Sequence, residues 1–167
     1  MTASGQPRAA SATVAVRVPV APKVAFDLFV REVDLWWRRG PKYRHGTGPH
    51  ARIAIEARLG GRVHETWTDG ETERAFELGR IFDWDPPSRF AFTWRNATFA
   101  PLERTEVTVT FEATRSGTLV TVRHVGLEDL RPDHPARHGL ANPEFAAEFA
   151  RWWGDQMSAL RERASES

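Results

Sequence analysis

The sequence predicts an α+β fold: an antiparallel sheet with a long C-terminal helix laid across one face. Three observations carry this. Between Arg52 and about Val125, apolar and polar residues alternate in short runs joined by turn signals. After Asn142 the period changes to that of a single long helix. Hairpins in series make antiparallel neighbours, and an amphipathic helix must bury its apolar stripe against them. A chain of 167 residues suits one domain with a core of ordinary size.

Val14, Val16, Val18 and Val20 alternate with Ala15, Arg17 and Pro19, which predicts a half-buried first strand. Pro22 then suits the first turn of a helix, and Phe26, Val30 and Val33 share one face over roughly 22–33. Trp36-Trp37 and a Gly/Pro-rich loop, GPKYRHGTGPH, follow.

Asp69-Gly70 is the strongest hairpin signal, since both residues tolerate the positive φ of a tight turn. A two-residue turn there sets Glu65 opposite Arg74, Val63 opposite Phe76 and Arg62 opposite Glu77. It turns Val63, Glu65, Trp67, Arg74, Phe76, Leu78, Arg80, Phe82 and Trp84 inward, leaving Arg62 and Glu77 outside. Before it, Gly60-Gly61 calls for a three-residue turn or a bulge, which aligns Ile55, Ala57 and Leu59 with the apolar face. After it, Pro86-Pro87-Ser88 turns the chain into Phe90, Phe92 and Trp94. A second hairpin at Ser116-Gly117 puts Val107, Val109, Phe111, Val120, Val122 and His124 on one face.

In the last helix Asn142 is the expected cap, Pro143 suits the first position and Glu144 favours the positive end of the dipole. Phe145, Phe149, Trp152, Trp153, Gln156 and Leu160 form its apolar stripe, over about 30 Å at 1.5 Å per residue. Residues 1–12 and 164–167 read as tails around one domain spanning 13–163.

Twenty-three basic and 22 acidic side chains nearly cancel, so no field favours nucleic acid or an anionic membrane. No run of about 18 apolar residues exists, which argues against membrane insertion. The absence of cysteine removes disulfides, thiol nucleophiles and thiolate metal sites. The opening MTASGQPRAASA lacks the apolar segment of a secretory signal, and the expected location is the cytoplasm.

Catalytic signatures are weak. Ser88 and Ser116 sit in turns, Ser158 lies on the last helix, and none stands in a nucleophile elbow. GTGPHA at 46–51 has the letters of a dinucleotide fingerprint, but a loop precedes it and Pro49 interrupts it. His134 and His138 are one helical turn apart, yet two prolines and the want of an acidic third ligand favour a solvated loop over a metal site. No catalytic residue, metal or cofactor is assigned.

Polar residues on apolar faces are more telling. Glu65, Arg80 and His124 all fall inward by register, and a buried lone charge needs a partner or a wet cavity. Two readings stand side by side. In one, Glu65 and Arg74 are a cross-strand pair and His124 is a satisfied core histidine. In the other, these groups line a pocket and orient a ligand. The tryptophans divide in the same way between core and pocket wall. The pocket reading takes Trp37, Glu65, Trp67, Arg80, Trp94, His124, Phe149 and Trp153 as ligand-binding residues.

The segments VPVAPKVAFDLFV, DLWW, LGGRVHETWTDG, GRIFDWDPPSRFAFTW and TEVTVTFEATRSGTLVTVRHVGL, followed by a helix bearing Trp-Trp, occur in that order over about 13–163. Together they resemble the activator of heat-shock-protein-90 ATPase homologue-like branch of the START-like (SRPBCC) superfamily. The resemblance implies a helix-grip fold, a curved sheet around the C-terminal helix with a cavity between them. It implies no single activity: members include ligand binders, cyclases and chaperone co-activators. The expected partner is a small hydrophobic or amphipathic molecule, lipid or polyketide-like. The alternatives are a chaperone-related interaction module and a cyclase or hydrolase using the same cavity. A homodimer is compatible with each.

Overall fold

A computed structural model describes residues 11–166. The order is β1 (Ala12–Val18), α1 (Pro22–Arg31), α2 (Val33–Trp36), β2 (Arg52–Ile55), β3 (Arg62–Asp69), β4 (Thr72–Asp85), β5 (Arg89–Trp94), β6 (Thr105–Thr114), β7 (Gly117–Val125) and α3 (Asn142–Ser165). Two short 3-10 turns, Leu127–Asp129 and Pro135–Arg137, lie between β7 and α3. The seven strands form one antiparallel sheet in the order β1-β7-β6-β5-β4-β3-β2. It curls as a half-barrel around α3, which is the helix-grip fold.

Unbroken alternation makes β6 and β7 the simplest part. Val107 pairs with His124, Val109 with Val122 and Phe111 with Val120, and all six face the core. Phe26 and Phe29 of α1 close the core at one end, with ring centroids 5.6 and 5.4 Å from Phe90. Such edge-on contacts suit the aromatic quadrupole.

The β3–β4 hairpin departs from expectation in two steps. Asp69 pairs with Thr72, so the turn is Gly70-Glu71, and Glu65 lies opposite Phe76 rather than Arg74. Arg74 reaches Asp69 at 3.8 Å on the exposed side. A β-bulge then shifts the register: His64 pairs with Glu77 but Val63 with Gly79. One extra residue reverses every later side chain. Leu78 and Ile81 are buried, whereas Phe82 is 47% exposed and Arg80 points outward to Glu77 at 3.0 Å. A second irregularity between Ile81 and Asp83 restores the phase, so Trp84 packs on Phe26. Gly79 permits the first bulge: a Cβ there would lie 1.6 Å from the Thr93 carbonyl oxygen. Arg62 and Glu77 are exposed as expected, although Arg62 pairs with Glu56.

The Gly60-Gly61 connection is longer than a three-residue turn. Ile55 pairs with Val63, residues 56–61 form the loop, and Leu59 is exposed rather than aligned with the core. Its last residues bond to β4 instead, Gly60 N–H to the Ile81 carbonyl and Ile81 N–H to that of Gly61. The first and last elements also differ from the expected limits. The first strand begins at Ala12, and α3 runs on through a buried Ala164 to Ser165; residues 1–10 lie outside the described residues. Ala141, not Asn142, stands at the N-cap position of α3, and no side chain caps the helix there. Asn142 instead accepts a 2.6 Å hydrogen bond from Arg137.

Candidate functional site

A cavity of about 950 Å³ opens between the loop after α2, the end of β5, the 135–138 segment and the outward flank of α3. Its floor is aromatic, made of Trp94, Phe145, Phe149 and Trp152. Lys42, Tyr43, His45, Arg151 and Asp155 stand around it.

The loop wall is held by two buried ions. Arg44 turns back beneath the loop, donating to Asp34 at 2.7 Å and to the carbonyls of Asp34, Trp37 and Arg38. Burial works to raise the Asp34 carboxyl, but the Ile53 amide and Arg44 outweigh it and hold the group below the ordinary range. Glu65, 1% exposed, takes the next two residues: it accepts from the amides of His45 and Gly46 and meets His45 Nδ1 at 2.7 Å. Here too burial pushes the carboxyl up, and these hydrogen bonds together bring it below the ordinary range. Ionised Glu65 keeps the proton on His45 Nδ1. Nε2 is then the acceptor, and it receives the Ala97 amide at 3.3 Å. His45 therefore spans from the loop to the residues after β5.

The opposite wall rests on Arg137, 3% exposed. Its guanidinium donates to the carbonyls of Leu127, Leu130 and Arg131 and lies 5.0 Å from the Phe145 ring centre. His134 is buried as well, rather than solvated. It accepts from the Ala136 amide through Nδ1 and meets Glu103 through Nε2 at 3.0 Å.

Four indoles pack behind and along the floor. Trp94 stacks on Trp37 at 6.1 Å and meets Trp152 and Trp153 at 5.5 and 5.9 Å. Trp153 is fully buried and donates to His124 Nδ1 at 3.1 Å. His124 Nε2 then carries the proton toward Thr105 Oγ1 at 2.6 Å, and Thr105 donates to the Trp94 carbonyl. Burial pushes His124 down to about 3. It is a satisfied, neutral core histidine.

The structure spreads the eight sequence-derived residues over three depths. Trp94 and Phe149 reach the cavity. Trp37, His124 and Trp153 form the layer behind, and Glu65 acts through His45. Trp67 lies behind the loop against Gly46, where an added Cβ would come within 2.8 Å of its ring. Arg80 corrects the inward assignment: it sits on the outer face of the sheet, opposite to His124, because of the bulge at Leu78-Gly79. Sequence reasoning missed Tyr43, His45 and Asp155. Buried Glu65 was the available signal, since it required a partner and Arg74 was the wrong one.

A family model described as Activator of Hsp90 ATPase homolog 1-like protein matches residues 20–162. The search of curated proteins found no match. Among solved structures, a Mesorhizobium loti protein is similar at TM-score 0.64 and 14% identity, over 94% of this chain and 98% of that one. A Rhodobacter sphaeroides protein is similar at TM-score 0.63 and 17% identity, over 94% and 93%. The Aha1 dimer of Colwellia psychrerythraea is similar at TM-score 0.58 and 10% identity, over 91% and 93%. These identities speak to the fold.

Proposed function

Starting from a chain that belongs to the Activator of Hsp90 ATPase homolog 1-like family, we propose that its cavity binds a small, largely apolar molecule. One observation supports this above the others: a space of about 950 Å³ floored by four aromatic rings and rimmed by polar and charged side chains, Lys42, Tyr43, His45, Arg151 and Asp155 among them. Binding sites for small molecules share this construction, with apolar area supplying affinity and few polar contacts fixing orientation. Phe149 and Trp152 are half-buried, so their rings offer surface that a ligand would remove from water.

Native mass spectrometry of freshly purified protein tests the reading. The expected result is a co-purifying small molecule, lost in Phe149→Arg, with tryptophan emission changing when apolar compounds are added. A ligand-free protein whose emission no apolar compound alters would overturn it. Self-association, the arrangement of the Colwellia relative, is the second reading of how this chain meets a partner. Among the described residues no helix is long and apolar enough to cross a membrane.

A further inference from the structure

Resting on the cavity reading above, we infer that the ligand is an uncharged molecule whose hydrogen-bond acceptor, a carbonyl-type oxygen, seats on the indole N–H of Trp94. Two independent observations carry this.

The first is an orphaned donor. Of the four clustered indoles, three spend their N–H on the protein: Trp37 on the Tyr43 carbonyl at 3.0 Å, Trp152 on the Lys42 carbonyl at 2.8 Å and Trp153 on His124 at 3.1 Å. Trp94, 4% exposed and on the cavity wall, has its N–H buried with no acceptor among the described residues. Buried donors are paired in the great majority of cases, and an unpaired one asks for an explanation. A ligand oxygen would reach it when a half-buried neighbour such as Trp152, 5.5 Å from Trp94 and also on the cavity floor, shifts aside.

The second is charge. The ions around the cavity are matched locally. Lys42 pairs with Asp155 at 3.5 Å, Arg151 with Glu148 at 3.9 Å and Arg44 with Asp34 at 2.7 Å, while the Glu65 carboxylate is taken up by hydrogen bonds from His45 and Gly46. Lys42 and Arg151 are mostly exposed, so water screens them, and the buried Arg44 is spent on Asp34; a carboxylate or phosphate that gives up its hydration on the aromatic floor finds no buried cation free to replace it. Desolvated charge without a partner is costly, so the arrangement disfavours fatty acids and phospholipid headgroups. A ketone, ester or quinone-type oxygen needs only a donor.

Three matched probes decide between these chemistries: 2-acetylnaphthalene, 2-ethylnaphthalene and 2-naphthoate, titrated by calorimetry and by the assigned indole N–H resonances of isotope-labelled protein. The ketone should bind about tenfold tighter than the ethyl compound, since only it satisfies the donor. It alone should move the Trp94 N–H resonance downfield, and 2-naphthoate should bind no better than the ethyl compound. Trp94→Phe should bring the ketone down to the affinity of the ethyl compound and leave the latter unchanged; if that variant does not fold, the wild-type resonance still decides. Equal binding of ketone and ethyl compound, with the Trp94 resonance unmoved, would overturn the acceptor assignment and leave the cavity reading intact. Tightest binding by 2-naphthoate would overturn the uncharged class. Failure of all three to bind would bring down the cavity reading and this inference with it.

Discussion

His124 keeps a neutral imidazole in the core because both of its nitrogens are used, one accepting from Trp153 and the other donating to Thr105. Its ring neighbours Trp94, Phe149 and Trp153 are uncharged, so nothing nearby would stabilise an imidazolium. Folded, the group titrates at about 3; in the unfolded chain it titrates near 6.5. As pH falls, the unfolded chain takes up this proton first. The contribution is therefore complete above about pH 6.5 and is lost as pH falls from there toward 3, by up to about 1.4 kcal/mol per unit. Urea denaturation at pH 7, 6 and 5 should show the wild type weakening, while His124→Gln starts less stable and declines less. Parallel slopes in the two proteins would refute the assignment. From sequence alone His124 was legible as inward, and a satisfied core histidine was one of the two readings, but its partners were not legible. Its hydroxyl partner and its indole donor come from β6 and α3, and no local pattern joins them.

At the scale of elements, alternation was readable wherever a strand runs without interruption, which is why the faces of β6 and β7 were legible. It failed at β4, where one unpaired residue inverted the phase for Gly79 to Phe82 and put Arg80 outside. The signal was present as a glycine within a strand, the usual mark of a bulge or a close backbone approach. Gly79→Ala tests that role. Its methyl would collide with the Thr93 carbonyl, and neither backbone can yield without breaking strand pairing. The expected loss is at least about 2 kcal/mol in chemical denaturation, the scale of forced overpacking. A loss below about 0.5 kcal/mol, typical of surface changes, would mean that the bulge is not held as described. The loop wall around His45 resisted sequence reading for another reason: it has no period. Its shape comes from Arg44 and Glu65 gathering backbone groups from a distance.

For the molecule as a whole, fold and site differ in how far sequence carried them. The curled sheet and its gripping helix follow from patterning, which needs only the average character of each face. The cavity depends on where packing stops, and that is decided by a few contacts between distant segments. The burial along α3 shows the division. Only Phe145 is buried in its first eight residues, whereas Trp153, Gln156, Met157, Ala159, Leu160 and Ala164 are buried beyond them. Gln156 also accepts from the Arg38 amide, tying the later turns to the loop after α2. The helix is thus a bolt fastened at one end. Its early turns, joined to the 135–138 segment through Arg137 and Asn142, are held by Phe145 and the half-buried Ala146 and Phe149, fewer buried side chains than the later turns carry, and form one side of the cavity mouth. Local opening follows such gradients of burial, so backbone amides of 146–150 should exchange with deuterated solvent well before those of 156–160, and a bound ligand should slow the first group most. Uniform protection along α3 would contradict this. Entry would then require no movement of the sheet, only a brief loosening of the helix at its unfastened end.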